Sequence, residues 1–306
     1  MREEALTDRS LNEVFAFMRR SNPFAQMTWG WDTGRFVDWR WGSNARRDAE
    51  HPGWFASHCR VFREGSEIRA LLIAESSARD VCVITADEDP AAVETVLGRL
   101  VAERETGAVG VNLDILDTAQ WLKPILVQFS LTEKRETGHE WEYELSRIVD
   151  DPLIRQGFTV QGLTDDRSKD YGGIAECIAA AFDATHDIRA TLSSLEANPM
   201  FVPELSVFAR SSEGRIAAYC RGTVDPDNGV CGIDPVCTHP DFQQLGLGKA
   251  VVMACFRAQR DLGGRFCYIG SAAEPAPGTF LYRSLGPSRK ADYASWSKPP
   301  LVPGAR

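Results

Sequence analysis

The chain has 306 residues, 43% of them hydrophobic and 25% charged, with a formal net charge of −9. At about 100–200 residues per domain this accommodates two domains, each long enough to bury a core. The acidic balance argues against nucleic acid or an anionic membrane as partner, since both ask for a basic surface, and no run approaches the roughly 18 apolar residues of a membrane span.

Apolar residues at helical spacing predict a short amphipathic helix over Asn12–Arg20. A Trp-rich stretch follows, with Trp29, Trp31, Trp39 and Trp41. Alternation and β-branched content predict strands at His58–Arg63, Ile68–Glu75 and Asp80–Thr85, the first two joined by a turn at Glu64–Gly65–Ser66. Pro90 opens a helix running through Ala91–Glu105. A strand at Ala108–Leu113, a helix at Thr118–Phe129 and a strand at Glu140–Leu145 complete the first half. The acidic, Pro-containing Val149–Asp150–Asp151–Pro152 reads as a linker and divides the chain into domains at 1–150 and 151–306.

The order then restarts. Strand Phe158–Gly162 is followed by helices Tyr171–Phe182 and Thr191–Ala197. Strands Leu205–Arg210 and Ile216–Thr223 meet at a Glu213–Gly214 turn, and strand Val230–Thr238 comes next. Helix Leu247–Leu262, strand Arg265–Gly270, helix Pro277–Leu285 and strand Tyr293–Lys298 close the series. The run from Thr85 to Leu145 repeats the order of elements from Thr238 to Lys298, which predicts two copies of one α/β (α+β) fold.

The chemistry concentrates after the strand ending at Thr238, where Gln243-x-x-Gly246-x-Gly248 leads directly into a helix. Such a turn aims several backbone N–H groups at one point, and the helix N-terminus adds partial positive charge, so the point suits a pyrophosphate. A Rossmann loop is excluded because the third glycine is missing, and a Walker loop because no Ser or Thr follows Gly248–Lys249.

Gln243–Gly248 resembles the pyrophosphate signature of the GNAT acyltransferase superfamily. A second stretch, Thr279-Phe-Leu-Tyr282-Arg-Ser-Leu-Gly286, is similar to the helix whose tyrosine lies near the thioester sulfur in that family. The resemblance runs from Phe158 to Lys298 and implies two tandem GNAT-like domains, each a mixed, mostly antiparallel sheet flanked by helices. It further implies acetyl-CoA as cosubstrate, held by the strand backbone at Val236, Cys237 and Thr238 and by the cradle Gln243, Gln244, Leu245, Gly246, Leu247, Gly248 and Lys249. Ser271 stands in for a family asparagine, and Pro287 replaces a terminal Phe. Tyr282 takes the place of the general acid.

Strand alternation puts Asp234 on the face of Val236 and Thr238, which makes it the first candidate for general base. His239 and the pair His186–Asp187 are further candidates. In the first half, Asp87, Glu88 and Asp89 stand where the pyrophosphate would sit, so that half is expected to bind no CoA. The four tryptophans suggest either core packing or a cation-binding box. Arg35, Arg40, Arg46 and Arg47 suggest either a solvated face or an anion site.

The five histidines show no metal-binding spacing, and no G-x-S-x-G nucleophile elbow occurs, so neither a metal nor a serine triad is expected. The eight cysteines include no C-x-x-C pair and several lie in apolar runs, as in Val81–Cys82–Val83, which predicts buried thiols in a reducing compartment. With no apolar core after Met1–Arg2–Glu3–Glu4, the expected location is the cytoplasm.

The reading that follows is an N-acetyltransferase acting on a small-molecule primary amine. Acetylation of a protein lysine or N-terminus, and a non-catalytic CoA-binding sensor or interaction protein, are the alternatives.

Overall fold

The computed structural model describes residues 1–22, 24–105, 109–148, 151 and 153–300. The expected linker lies largely outside them, at 149, 150 and 152. In chain order the strands of the first half are β1 (Arg2–Ala5), β2 (Arg60–Glu64), β3 (Glu67–Ser77), β4 (Asp80–Thr85), β5 (Val111–Leu116) and β6 (Thr132–Glu144). Its helices are α1 (Leu11–Ser21), α2 (Phe24–Trp29), α3 (Thr33–Trp39), α4 (Ala45–Glu50), α5 (Trp54–His58), α6 (Pro90–Glu105) and α7 (Leu122–Gln128). The second half has β7 (Phe158–Gln161), α8 (Arg167–Phe182), α9 (Ile188–Leu195), β8 (Ser206–Ser211), β9 (Ile216–Asp225) and β10 (Val230–Thr238). It continues with α10 (Leu247–Asp261), β11 (Phe266–Ala272), α11 (Pro277–Ser284) and β12 (Arg289–Lys298).

The chain forms two compact units that do not follow a division at 150/151. One holds residues 1–33, 47–140 and 291–306; the other holds 34–46 and 141–290. Strand β6 passes from the first into the second, and β12, from the second half of the sequence, belongs to the first.

In the first unit the strand order is β1-β2-β3-β4-β5-β12-β6. Neighbours from β1 to β4 run antiparallel, β4 and β5 are parallel, and β5 pairs antiparallel with β12 from Tyr293↔Leu116 to Lys298↔Val111. Helix α1 buries Val14, Phe17, Met18 and Ser21, the i, i+3, i+4, i+7 stripe of an amphipathic helix. The Trp-rich stretch is helical, although β-type alternation and helical period are both weak there; Trp29 and Trp31 are fully buried core residues.

The second unit repeats the arrangement in the order β7-β8-β9-β10-β11-β6. Strands β7 to β10 are antiparallel and β10 and β11 parallel. All ten residues of β9 are buried, because cores lie on both of its faces. One core gathers Cys220, Val251, Phe256, Ile269 and Tyr282 under α10 and α11. The other gathers Tyr171, Ile174, Cys177, Leu192, Tyr219 and Cys237 under α8 and α9. The eight cysteines are all buried free thiols.

Each unit therefore has a parallel pair flanked by a strand from the other half of the sequence: β12 beside β5, and β6 beside β11. The predicted strand Glu140–Leu145 is extended to thirteen residues because it serves in both units. The predicted helix Thr118–Phe129 shortens to α7, and β1 was not foreseen.

Candidate active site

Strands β10 and β11 begin in register, with Val230, Cys231 and Gly232 opposite Phe266, Cys267 and Tyr268. Beyond Gly232 the pairing stops, while β10 runs on to Thr238 and β11 to Ala272. The cause lies on the other edge of β10. Ile233 pairs with Gly222 and Val236 with Cys220, so Asp234 and Pro235 both stand opposite Arg221. Two residues against one is a bulge, which bends the strand and increases its twist; Pro235 cannot donate to a ladder and so belongs at such a break. The result is a wedge between two parallel strands, with the backbone of Val236, Cys237 and Thr238 along one wall.

The bulge also sorts the side chains. Val236 packs against the core that contains Tyr282, and Cys237 enters the opposite core, where its Sγ lies 3.8 Å from Cys177 Sγ. The hydrogen bond with Cys177, and then burial, push the Cys237 thiol far above its usual range, which disfavours the thiolate a nucleophile needs. Asp234 is exposed at the bulge. The simple alternation that placed it on the face of Val236 is interrupted there, yet Asp234 remains close enough for its charge to act on Tyr282.

The cradle follows. His239, Pro240, Asp241 and Phe242 form a single tight turn, closed by Phe242 N–H donating to His239 O at 2.9 Å. Gln244 has φ +61° and Gly246 φ +77°, and α10 starts at Leu247. Two left-handed residues two apart turn successive N–H groups towards one side. Among the described residues, the N–H groups of Gln244, Leu245, Gly246, Leu247, Gly248 and Lys249 have no backbone acceptor; the first helical bond runs from Ala250 to Gly246 O at 3.0 Å. Six successive open donors at a helix N-terminus, with the helix dipole behind them, form an anion cradle. A Cβ on Gly246 would meet nothing within 4 Å, so the space above it is open; one on Gly248 would lie 3.0 Å from Thr238 Oγ1. Lys249 is turned aside, its Nζ donating to Ser284 O at 2.9 Å, the last carbonyl of α11.

Tyr282 is 7% exposed on α11, held by Tyr143 Oη donating to its backbone carbonyl at 2.8 Å. Its own hydroxyl has no hydrogen-bond partner among the described residues. Burial, then the charge of Asp234, push the phenol above its ordinary range, so it stays protonated wherever the protein is folded near neutral pH. Ser271, on β11, accepts a hydrogen bond from Trp141 Nε1 at 2.8 Å.

His239 and Asp187 have structural employment. His239 Nδ1 accepts from Asp241 N at 3.2 Å and caps the turn, while Arg215 reaches its Nε2 at 3.4 Å. Asp187 caps α9 by accepting from Ala190 N at 3.0 Å, and His186 is exposed beside it. Of the four tryptophans, Trp29 and Trp31 belong to the first unit and Trp39 and Trp41 to the second. In the first unit, the Asp89 carboxylate accepts from Ala92 N at 3.0 Å at the N-terminus of α6 and pairs with Arg69 at 2.6 Å. A built-in anion thus holds the position that the open cradle leaves free in the second unit.

Two sets of residues escaped sequence reasoning. Glu136, His139 and Asp292 converge, with His139 Nδ1 2.8 Å from Asp292 Oδ1; their separation in sequence gave no signal. Asp38, in α3, is joined to Arg221 at 2.5 Å within the second unit; no periodic or motif signal marks it either.

With this geometry in view, residues 174–286 match the Acetyltransferase (GNAT) family. No curated protein matches the chain. Among solved structures, a GCN5-related N-acetyltransferase from Sphaerobacter thermophilus aligns with TM-score 0.60 and 15% identity over 98% of this chain and 96% of its own. A tandem GNAT protein from the clavulanic acid biosynthesis pathway aligns with TM-score 0.62 and 13% identity over 97% and 98%. A GNAT-family acetyltransferase from Colwellia psychrerythraea gives 0.60 and 8% over 97% and 100%. At these identities the structures establish the fold. The family match thus falls within the second unit, and the fold of these GNAT structures extends over nearly the whole chain. Among the described residues, no helix is long and apolar enough to cross a membrane.

Proposed function

We propose that the protein is an N-acetyltransferase that moves the acetyl group of acetyl-CoA to the primary amine of a small molecule, at one site per chain in the second unit. The observation that carries this reading is the run of six open N–H donors from Gln244 to Lys249, placed directly after a strand that has parted from its parallel neighbour. Donors of that kind suit the pyrophosphate of CoA. The parted strand leaves Val236, Cys237 and Thr238 to hydrogen-bond an extended pantetheine arm as a missing strand would.

The chemistry then needs little. The amine nitrogen attacks the thioester carbonyl carbon, the carbon–sulfur bond breaks, and the leaving thiolate takes the proton of Tyr282. The acceptor's ammonium proton passes to Asp234 through water before attack, and the second proton, released from nitrogen as the amide forms, returns through water to the Tyr282 phenolate. Tyr282 suits the acid role because its phenol is protonated, buried and without a partner among the described residues. Asp234 suits the base role because it is exposed at the mouth of the wedge. The acidic surface favours a cationic acceptor, and its net charge of −9 would draw ammonium compounds inward. The first unit, with Asp89 already at the N-terminus of α6, would take no second CoA.

Calorimetric titration of acetyl-CoA tests the reading. Wild type is expected to bind near one equivalent. A Gly246→Glu, Gly248→Glu double variant, folded by circular dichroism, is expected to lose binding at least a hundredfold, because two carboxylates would fill the space meant for phosphates. Absence of binding by wild type overturns the proposal. Binding without turnover on any of a panel of primary amines, unaffected by Tyr282→Phe, would favour a CoA-binding sensor. Turnover only on peptides would favour protein acetylation.

A further inference from the structure

Residues 34–46 come from the first half of the sequence yet belong to the CoA-site unit. They are fixed there at several points. Asp38 Oδ1 accepts from Arg221 Nη1 at 2.5 Å and from Asn198 Nδ2 at 3.0 Å. Ser194 Oγ donates to Trp41 O at 2.7 Å, and a Cβ on Gly42 would meet Leu195 at 3.5 Å. The segment ends in a π-helical turn, Arg40–Asn44, a rare form that recurs at functional sites.

Arg221 is the notable member. It is 6% exposed, and it lies on β9 opposite the bulge formed by Asp234 and Pro235. Its Nε is buried and has no partner among the described residues. The charged and titratable groups around it are Asp38 from α3, Asp234 from β10 and Tyr219 from its own strand; Asp234 in turn acts on Tyr282 of α11. A buried guanidinium seeks a carboxylate, and two are available. Asp38 has it, and Asp234 is left open to solvent.

We infer that Asp38 is a positioning residue that holds Arg221 away from Asp234, so that Asp234 remains an unneutralised carboxylate for the incoming ammonium. This rests on the acetyltransferase reading. Its consequence for the acceptor is a matter of charge. Arg221 and Asp38 cancel, Asp234 remains, and the site receives an amine that carries no carboxylate beside its nitrogen. Zwitterionic α-amino acids are disfavoured, since their carboxylate would meet Asp234 while Arg221, already paired with Asp38, is not open to balance it.

The primary test is the structure of Asp38→Asn. With its carboxylate removed, Arg221 is expected to turn to Asp234 and lie within 3.5 Å of it, a distance that defines a charge-assisted hydrogen bond here. An Arg221 that keeps its wild-type position overturns the inference. The second test compares phenethylamine with phenylalanine as acceptors. Wild type is expected to favour phenethylamine at least about tenfold in kcat/KM. Asp38→Asn should lose at least about tenfold on phenethylamine, chiefly in KM, with acetyl-CoA affinity unchanged.

The double variant Asp38→Asn, Arg221→Met should recover most of that activity, because nothing is left to quench Asp234. It replaces a buried ion pair with uncharged groups, which proteins commonly tolerate, and so decides the matter if Asp38→Asn alone does not fold. Additive loss in the double variant would show that the pair merely supports the fold, and would overturn the inference. The position of Arg221 can be read without acetyl-CoA. A failure to bind acetyl-CoA would sink the acetyltransferase reading while leaving the Arg221 observation intact, so the two failures are distinguishable.

Discussion

Tyr282 shows what burial does to a phenol. Its hydroxyl is desolvated, feels the charge of Asp234, and has no partner among the described residues, so the neutral phenol is favoured over a wider range than in water. That keeps the proton on the phenol, while the raised pKa makes its release to a thiolate costlier than from a free tyrosine. The direction is clear: a raised phenol pKa keeps the acid form populated above pH 10, where a free tyrosine would begin to ionise. The rate with a good amine is therefore expected not to fall between pH 8 and pH 10 through loss of this proton, as a pH–rate profile would reveal. Tyr282→Phe should lower kcat by about a hundredfold, in the range for removal of a general acid, while calorimetry finds acetyl-CoA affinity within threefold of wild type. An unchanged kcat would leave Tyr282 a packing residue. Tyr282 stands out in the sequence as a candidate because it sits in a patterned helix. Asp38 does not, because its partners Asn198 and Arg221 lie far along the chain and nothing local in its α3 surroundings distinguishes it. His239 was legible as a polar residue at a bend, but only the hydrogen bond from Asp241 N reveals that its ring is committed to the turn.

At the scale of elements, the site is the meeting of a strand that bends and a helix that starts uncapped by side chains. Helix α10 lacks a Ser, Thr, Asp or Asn at its N-cap; Gly246 occupies that position with φ +77°. Side-chain caps satisfy helix N–H groups, so their absence keeps the donors available. Helix α6 of the first unit shows the contrary case, with Asp89 as its cap. Gly248→Ala places a methyl 3.0 Å from Thr238 Oγ1 and 3.5 Å from Leu281 Cδ2. It is expected to weaken acetyl-CoA about tenfold by pushing the cradle off the strand, a milder loss than the double glutamate variant, measurable in the same titration. The strand β10 and the starts of α6, α10 and α11 were readable to within a residue, because alternation, glycine and proline mark them. The bulge was not. Only the register against β9 shows that Asp234 and Pro235 share one partner, and that displacement is what opens the wedge. The helices between Phe24 and His58 were unreadable for a different reason: buried tryptophans on short helices produce neither period.

For the whole molecule, the sequence suggested two consecutive copies, and the element order supports a repeat in each unit. What the order of residues hides is that each unit borrows. Strand β12 lies beside β5 in the first unit, and the end of β6 lies beside β11 in the second. Local pattern cannot reveal which half a strand will join, since alternation looks the same in either sheet. Fragments cut at 150/151 would each lack a strand next to their parallel pair. Residues 1–150 and 151–306 expressed separately are expected to be insoluble or to lack cooperative melting transitions, while coexpression should restore a soluble complex. Two independently folded fragments would show that the borrowed strands are dispensable.

The same exchange sets a timetable for synthesis. Domains ordinarily fold as they emerge, the first before the second, at about 5–20 residues per second. Here the first unit is incomplete until the residues of β12, Arg289–Lys298, have been made. For roughly ten to thirty seconds at that pace, β5 waits on the ribosome with an unpaired edge of apolar alternation, Val111, Leu113 and Ile115 facing a core already forming. An open edge of that kind is what chaperones bind and what aggregates in their absence. The protein's yield in a cell should thus depend on how long nascent chains are shielded, more than on the stability of the finished fold.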